Sequence, residues 1–172
     1  MRRLLPIALV LALADCAGPK PRPTPPPPPP AAAALPAAPP QQDWRDVPLT
    51  PGAWSWRGGA GRSLAQFGLL GAPAIFALSC DASHRTINLS RAGSTGGAAT
   101  MLFTTSFGAF PLAASDGAGE PPAIVARAAA SDPHLDQIAF SRGRFLVDVA
   151  GAERLVLPAW PEVARVIEDC RS

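Results

Sequence analysis

Between residues 17 and 40 the chain is almost entirely proline and alanine, with proline unbroken over positions 25–30. Proline fixes φ and has no amide donor, so neither a helix nor a sheet ladder forms from such a stretch, and an extended polyproline II backbone is what remains open to it. The only charges in it are Lys20 and Arg22. Fully extended at about 3.1 Å per residue, it spans on the order of 70 Å. We read residues 16–40 as a disordered stalk that spaces a domain from whatever holds its other end, a ligand for a proline-binding module being the sharper alternative. Any packed fold must then come from residues 41–172, enough for a single domain with one core.

What precedes the stalk explains it. Arg2 and Arg3 are followed by an apolar run at 4–14 and then Cys16. A basic start before a short apolar stretch is an export signal, too short to stay in a bilayer as a spanning helix. Leu13-Ala14-Asp15-Cys16 resembles the bacterial lipobox, which implies removal of residues 1–15 and lipid modification of Cys16 as the first residue of the mature protein. Asp15 stands where that pattern prefers a small residue, and Ala12-Leu13-Ala14 suits ordinary signal peptidase, so cleavage after Ala14 to give a soluble periplasmic or secreted protein is the alternative. Cysteine arithmetic favours the lipoprotein: an exported chain with three cysteines has one left after pairing, and acylation of Cys16 accounts for it. By resemblance to the bacterial sorting rule, Ala17 after the lipid site implies the outer membrane, with the domain facing the periplasm.

The domain reads as α+β, mainly antiparallel sheet of about seven strands. Trp54-Ser55-Trp56 puts both indoles on one face of a strand. Leu64 and Phe67 suggest another after the glycine turn at 58–61. Residues 74–80 place Phe76, Leu78 and Cys80 on one face, and 85–91 place Ile87 and Leu89 inward, giving a hairpin with one wet face. Strands follow at 99–106 and, shorter, at 109–113. Residues 124–130 fit a helix or a strand. Asp132-Pro133 is a helix start, so a short helix is expected at 133–140, burying Leu135, Ile138 and Ala139. A strand at 144–149, a turn at Gly151 and a strand at 154–157 make the clearest hairpin. The last helix, 161–170, carries Val163, Val166, Ile167 and Cys170 as one apolar stripe. Because Cys80 and Cys170 both lie on buried faces and an oxidising compartment preserves disulfides, we expect them to be bonded.

From Phe140-Ser141-Arg142-Gly143-Arg144-Phe145 through Leu157-Pro158-Ala159-Trp160-Pro161 to Cys170, the chain resembles uncharacterised exported proteins of sphingomonad-type alphaproteobacteria. Over its last part, the order strand, Leu-Pro, helix, Cys is similar to the end of the invasion-associated locus B family, which implies an exported, disulfide-containing β-rich protein without known catalysis. Neither resemblance assigns functional residues.

Fifteen basic against thirteen acidic side chains carry no nucleic-acid signature. His84 and His134 are flanked by Asp81, Asp132 and Asp136, but no Gly-x-Ser-x-Gly elbow accompanies them, and their spacing suits no metal. The glycines at 58–61 lack the lysine and long helix of a phosphate loop. Glu162, Glu168 and Asp169 read as solvated, offset by Arg165 and Arg171. No catalytic residue, metal or cofactor is expected. Candidate binding residues are Trp44, Trp54 and Trp56, whose indoles stack on sugars or anchor partners, against core packing of one or two of them, and a basic patch of Arg142 and Arg144 with Arg85 and Arg91, against ordinary surface solubilisation. The expected role is a non-enzymatic envelope lipoprotein presenting a domain to an envelope protein or glycan, with a secreted inhibitor or virulence-type factor as the nearest alternative and an envelope hydrolase as a distant one. The oligomeric state is left open.

Overall fold

The computed structural model describes residues 43–59 and 62–172. The leader, Cys16, the stalk and part of the expected glycine turn lie outside the described residues. Nine strands and two helices follow one another: β1 (Ala53–Gly59), β2 (Arg62–Gly68), β3 (Phe76–Asp81), β4 (Thr86–Ala92), β5 (Ala98–Thr105), β6 (Gly108–Asp116), β7 (Ala123–Ala129), α1 (Pro133–Ala139), β8 (Arg144–Val149), β9 (Leu155–Pro158) and α2 (Pro161–Arg171). The strands form one antiparallel sheet in the order β1-β2-β3-β4-β7-β6-β5-β8-β9, curled into a half-barrel.

Nine strands correct the expected seven. The difference lies mostly in β7, where Ile124, Ala126 and Ala128 point inward. Alanine is small and a good helix former, so its alternation barely registers in the sequence. Pairing with β4 on one side and β6 on the other makes the segment a strand, a tertiary override of local preference. In β2 the phase also differs from expectation: Ser63, Ala65 and Phe67 are buried while Leu64 faces outward.

The curl brings the sheet's two edge strands close. Trp54 on β1 donates from Nε1 to the Pro158 carbonyl on β9 at 2.8 Å. The segment leading into β1 runs beside β9, where Thr50 N–H donates to the Val156 carbonyl and Thr50 Oγ1 accepts from Val156 N–H, both at 2.9 Å. Inside the curve the inward positions of the strands meet: Phe67, Phe76, Leu78, Ile87, Leu89, Met101, Phe103, Ile124, Phe145, Val147 and Leu157 are all essentially inaccessible to solvent.

Helix α1 starts as the sequence predicts, with Asp132 accepting from His134 N–H at 2.9 Å and Pro133 in the first turn. Leu135 and Ile138 are buried, and the helix packs against α2 and β5. In α2 the stripe Val163, Val166, Ile167 and Cys170 is buried as expected, against β2 and β3. Glu162 in its first turn and Arg171 in its last agree with the helix dipole. Cys170 is bonded to Cys80 of β3, with Cα atoms 5.4 Å apart. The helix is thus tied covalently to the sheet it covers.

Candidate binding surface

The structure disperses the residues that sequence reasoning grouped. Trp54 is 6 % exposed, its indole edge-on to Phe67 and Phe76. Its alternation with Ser55 turns it into the half-barrel, and it serves as core and as a sheet tie, which corrects its reading as a binding residue. Trp44 lies in the turn before β1, half-buried under its neighbour, with the Arg45 guanidinium 4.8 Å from its ring centroid. Trp56 shares the inward face but sits near the β1–β2 turn, where it is half-buried.

The basic patch is not assembled either. Arg91 points into the half-barrel and is 9 % exposed; its guanidinium donates to the carbonyls of Ala92 and Glu153 at 2.6 Å. It bridges β4 to the turn between β8 and β9. Burial lowers its pKa from the ordinary arginine value, partly offset by Glu153, yet the group remains charged. Arg85 donates to the Arg171 carbonyl and Arg144 to the Val47 carbonyl, so both guanidinium groups are spent on backbone. Arg142 is the member left exposed without a side-chain hydrogen bond among the described residues.

Around Trp56 lies a built cluster. Its Nε1 donates to Ser63 Oγ at 2.9 Å, and Ser63 Oγ donates to Asp169 Oδ2 at 2.6 Å. The Arg165 guanidinium stacks on the indole with its Cζ 3.4 Å from the ring centroid, a cation–π contact. Asp169 is exposed as expected but also accepts from Ser63, and Arg165 covers a ring instead of offsetting its charge. These side chains, with Arg62 and Cys80, line a shallow cleft of about 320 Å³. Ser63 has no imidazole on its hydroxyl, and its proton is committed to Asp169; the chain of bonds fixes α2 to the β1–β2 hairpin.

Trp56 also explains Gly58. A Cβ at that position would lie 2.1 Å from the indole Cζ2, so the ring fills the space that a side chain would occupy. We predict that Gly58→Ala pushes the indole off Ser63 and Arg165, at a cost of about 1–3 kcal/mol, the usual range for overpacking. A shift of the Trp56 Nε1–H resonance, with a lower urea midpoint, would register both effects; an unmoved resonance would contradict the prediction.

The histidines sit apart, His84 in the β3–β4 turn and His134 in the first turn of α1, each on its own aspartate. His84 Nδ1 is 2.8 Å from Asp81 Oδ2 and 3.1 Å from Ser83 Oγ, while Ser83 Oγ donates to Asp81 Oδ1 at 2.6 Å. Serine and aspartate crowd the same ring nitrogen, so no proton relay runs through the imidazole; the group locks the β3–β4 turn. His134 Nδ1 is 2.9 Å from Asp132 Oδ1, and its ring stacks on Phe110 at 4.3 Å. Among the described residues no group of three or more His, Cys, Asp or Glu side chains is arranged to hold a metal.

The hydrogen bond from Ser83, reinforced by His84, lowers the Asp81 pKa from 3.8 to about 2. A depressed carboxylate contributes stability that is complete above its unfolded pKa and is lost as pH falls through its folded pKa. The β3–β4 turn should therefore loosen between about pH 4 and pH 2. Amide exchange at His84 would report it, and Asp81→Asn should abolish the pH dependence there. Asp116 is lowered likewise, first by the Ser94 hydroxyl and then by Thr95 N–H, as it clasps the loop before β5.

Sequence reasoning missed the exposed apolar residues. Phe107, at the β5–β6 turn, is 57 % exposed, and Phe140, the C-cap of α1, is 59 % exposed. Ser106 N–H donates to Ser141 Oγ and Arg142 N–H to Ser106 Oγ, both at 3.0 Å, which brings the two segments together beside Arg142. Leu69 and Leu70 in the β2–β3 loop are also exposed. The available signal was position, since each large apolar side chain falls in a turn or at a helix end, out of phase with any buried face. Comparison with protein families, with curated proteins and with solved structures finds no match to this chain.

Proposed function

We propose that the chain is an exported, non-enzymatic envelope lipoprotein whose stalk-borne, β-rich domain binds a partner in the envelope. The observation that carries this reading is the Cys80–Cys170 disulfide. It fits an oxidising compartment, where disulfides persist, and uses two of the three cysteines, which leaves Cys16, directly behind an export-type leader, as the odd thiol to be accounted for. Acylation at Cys16 supplies that account, and Ala17 directs the product to the outer membrane by the sorting rule. Binding is favoured because the Ser63 hydroxyl and the Nδ1 atoms of His84 and His134 are engaged by neighbouring side chains at three separate places in the fold, while large apolar side chains stand exposed on turns.

The test is intact-mass analysis of protein extracted from membranes of cells fed a labelled fatty acid. We expect a mature chain beginning at Cys16 with acyl mass, and release to the soluble periplasm in Cys16→Ser. A mature chain beginning at Asp15 without acyl mass would replace the anchored reading with the soluble one.

A further inference from the structure

The two edges of the sheet are treated differently by the chain. On β9, Val156 N–H and C=O are both taken by Thr50, and the Pro158 carbonyl is taken by Trp54. Proline has no N–H to satisfy, so this stretch of edge is closed to a further strand. The β1 edge is its counterpart.

Register shows which groups of β1 are free. Ile75 N–H donates to the Phe67 carbonyl at 2.9 Å, so Phe67 turns its backbone polar groups toward β3. N–H and C=O of one residue in a strand point to the same edge, so the alternate residues Leu64, Gln66 and Gly68 turn theirs toward β1. Their partners are Arg57, Ser55 and Ala53. Trp54, Trp56 and Gly58 consequently present their N–H and C=O groups away from β2. No group among the described residues bonds to them.

Natural edge strands are commonly blunted by lysine, proline or a bulge. β1, AWSWRGG, has none of these and pairs with β2 in unbroken register. Its one charged side chain is Arg57, on the outer face beside Gln66. On that face, Ala53, Ser55 and Arg57 border a groove of about 410 Å³ that the β2–β3 loop closes with Leu69 and Leu70. Leu70 is fully exposed beside an exposed Leu69, so the loop gives the groove an apolar rim.

We infer that the β1 edge receives an extended segment of a partner protein as a tenth strand. Main-chain bonds go to Trp54, Trp56 and Gly58, an apolar side chain enters the Leu69–Leu70 groove, and an acidic side chain two residues along meets Arg57. β-Augmentation works in this manner, with main-chain bonds supplying affinity and alternate side chains supplying selectivity. A second copy of β1 is the poorer occupant, because β1 carries a cation and no anion and offers Arg57 nothing. The inference deepens the partner-binding reading above and rests on it, but does not depend on the anchor at Cys16.

The probe is an eight-residue peptide of alternating valine and threonine that carries one leucine and, two residues on, one glutamate. Two further versions are N-methylated on alternate amides, one in each parity, and a fourth has lysine in place of glutamate. In the oxidised chain alone, amides of Trp54, Trp56 and Gly58 should exchange rapidly, and the probe should protect them. One N-methylated parity should bind at least about tenfold more weakly than the other, since only one faces the edge. Arg57→Glu should weaken the glutamate peptide and favour the lysine peptide, each by about tenfold. Slow exchange at the three amides in the free monomer, no saturable binding at millimolar peptide, or equal binding of the two N-methylated parities would overturn the inference. Concentration-dependent dimers protected at β1 without peptide would also overturn it, in favour of self-pairing. If the probe fails while Cys16 is found acylated, the anchor stands and the edge proposal alone falls.

Discussion

Replacing Phe76 by alanine is expected to cost about 3–5 kcal/mol, the range for truncating a buried phenylalanine. Phe76 is 1 % exposed, and its ring meets Trp54 at 6.3 Å and Phe103 and Phe145 each at 6.4 Å, all edge-on. Those partners stand on β1, β5 and β8, so one side chain of β3 spans the hollow of the half-barrel and holds its two walls apart at packing distance. Collapse into the cavity would have to draw strands together against eight pairings already fixed by hydrogen bonds, which places the cost toward the upper end. A domain has only about 5–15 kcal/mol in hand, so the variant loses much of its margin. Urea unfolding should show a lower midpoint at unchanged slope. Phe107→Ala, on an exposed turn, is the control and should stay within about 0.5 kcal/mol. A Phe76→Ala cost below about 1 kcal/mol would mean that the ring does not bridge the walls.

The parts of this fold that were legible in the sequence are those where a side-chain period is strong and local. Phe76-Leu78-Cys80, Ile87-Leu89, Phe145-Val147-Val149 and the stripe on α2 all point where alternation or helical phase sends them. Asp132-Pro133 starts its helix for a purely local reason. β7 failed the same test because its inward residues are mostly alanine, and only its neighbours across the sheet decide it. Pairings such as β4 with β7 and β5 with β8 join segments far apart in the chain, and periodicity holds no record of partners. For the candidate surface, sequence identified which residues are able to bind but not which are free to do so. Trp54 and Arg144 found backbone carbonyls on distant segments, and Arg91 found one across the half-barrel. The open edge of β1 depends on the contrast with a capped β9, which exists only once the sheet curls.

Loss of the Cys80–Cys170 bond should have the second largest effect. The cysteines are 90 residues apart, and for such a loop the chain-entropy description gives about 4.6 kcal/mol, with about 2–4 kcal/mol the usual observed range. The bond joins α2, a helix of 11 residues, to the sheet; helices that short are marginal without tertiary support. Other ties hold its last turn: Asp169 to Ser63, and Arg171 to the Ala130 carbonyl and to Asp136. Those polar contacts cluster around residues 169–171, whereas the turns before them are held by the buried Val163, Val166 and Ile167 and by the exposed stack of Arg165 on Trp56. Reduction should therefore release α2 from its first turns. Amide exchange at 163–167 is expected to rise before exchange in β3, whose neighbours β2 and β4 keep it paired. Cys80→Ala with Cys170→Ala should reproduce the urea midpoint of the reduced protein, since alanine leaves no buried hydroxyl to desolvate. Two free thiols in protein taken from an oxidising compartment would refute the pairing itself. A midpoint shift worth less than about 0.5 kcal/mol would instead show that the polar belt at 169–171 and the buried stripe already hold the helix, and that the bond mainly constrains an unfolded chain that is compact to begin with.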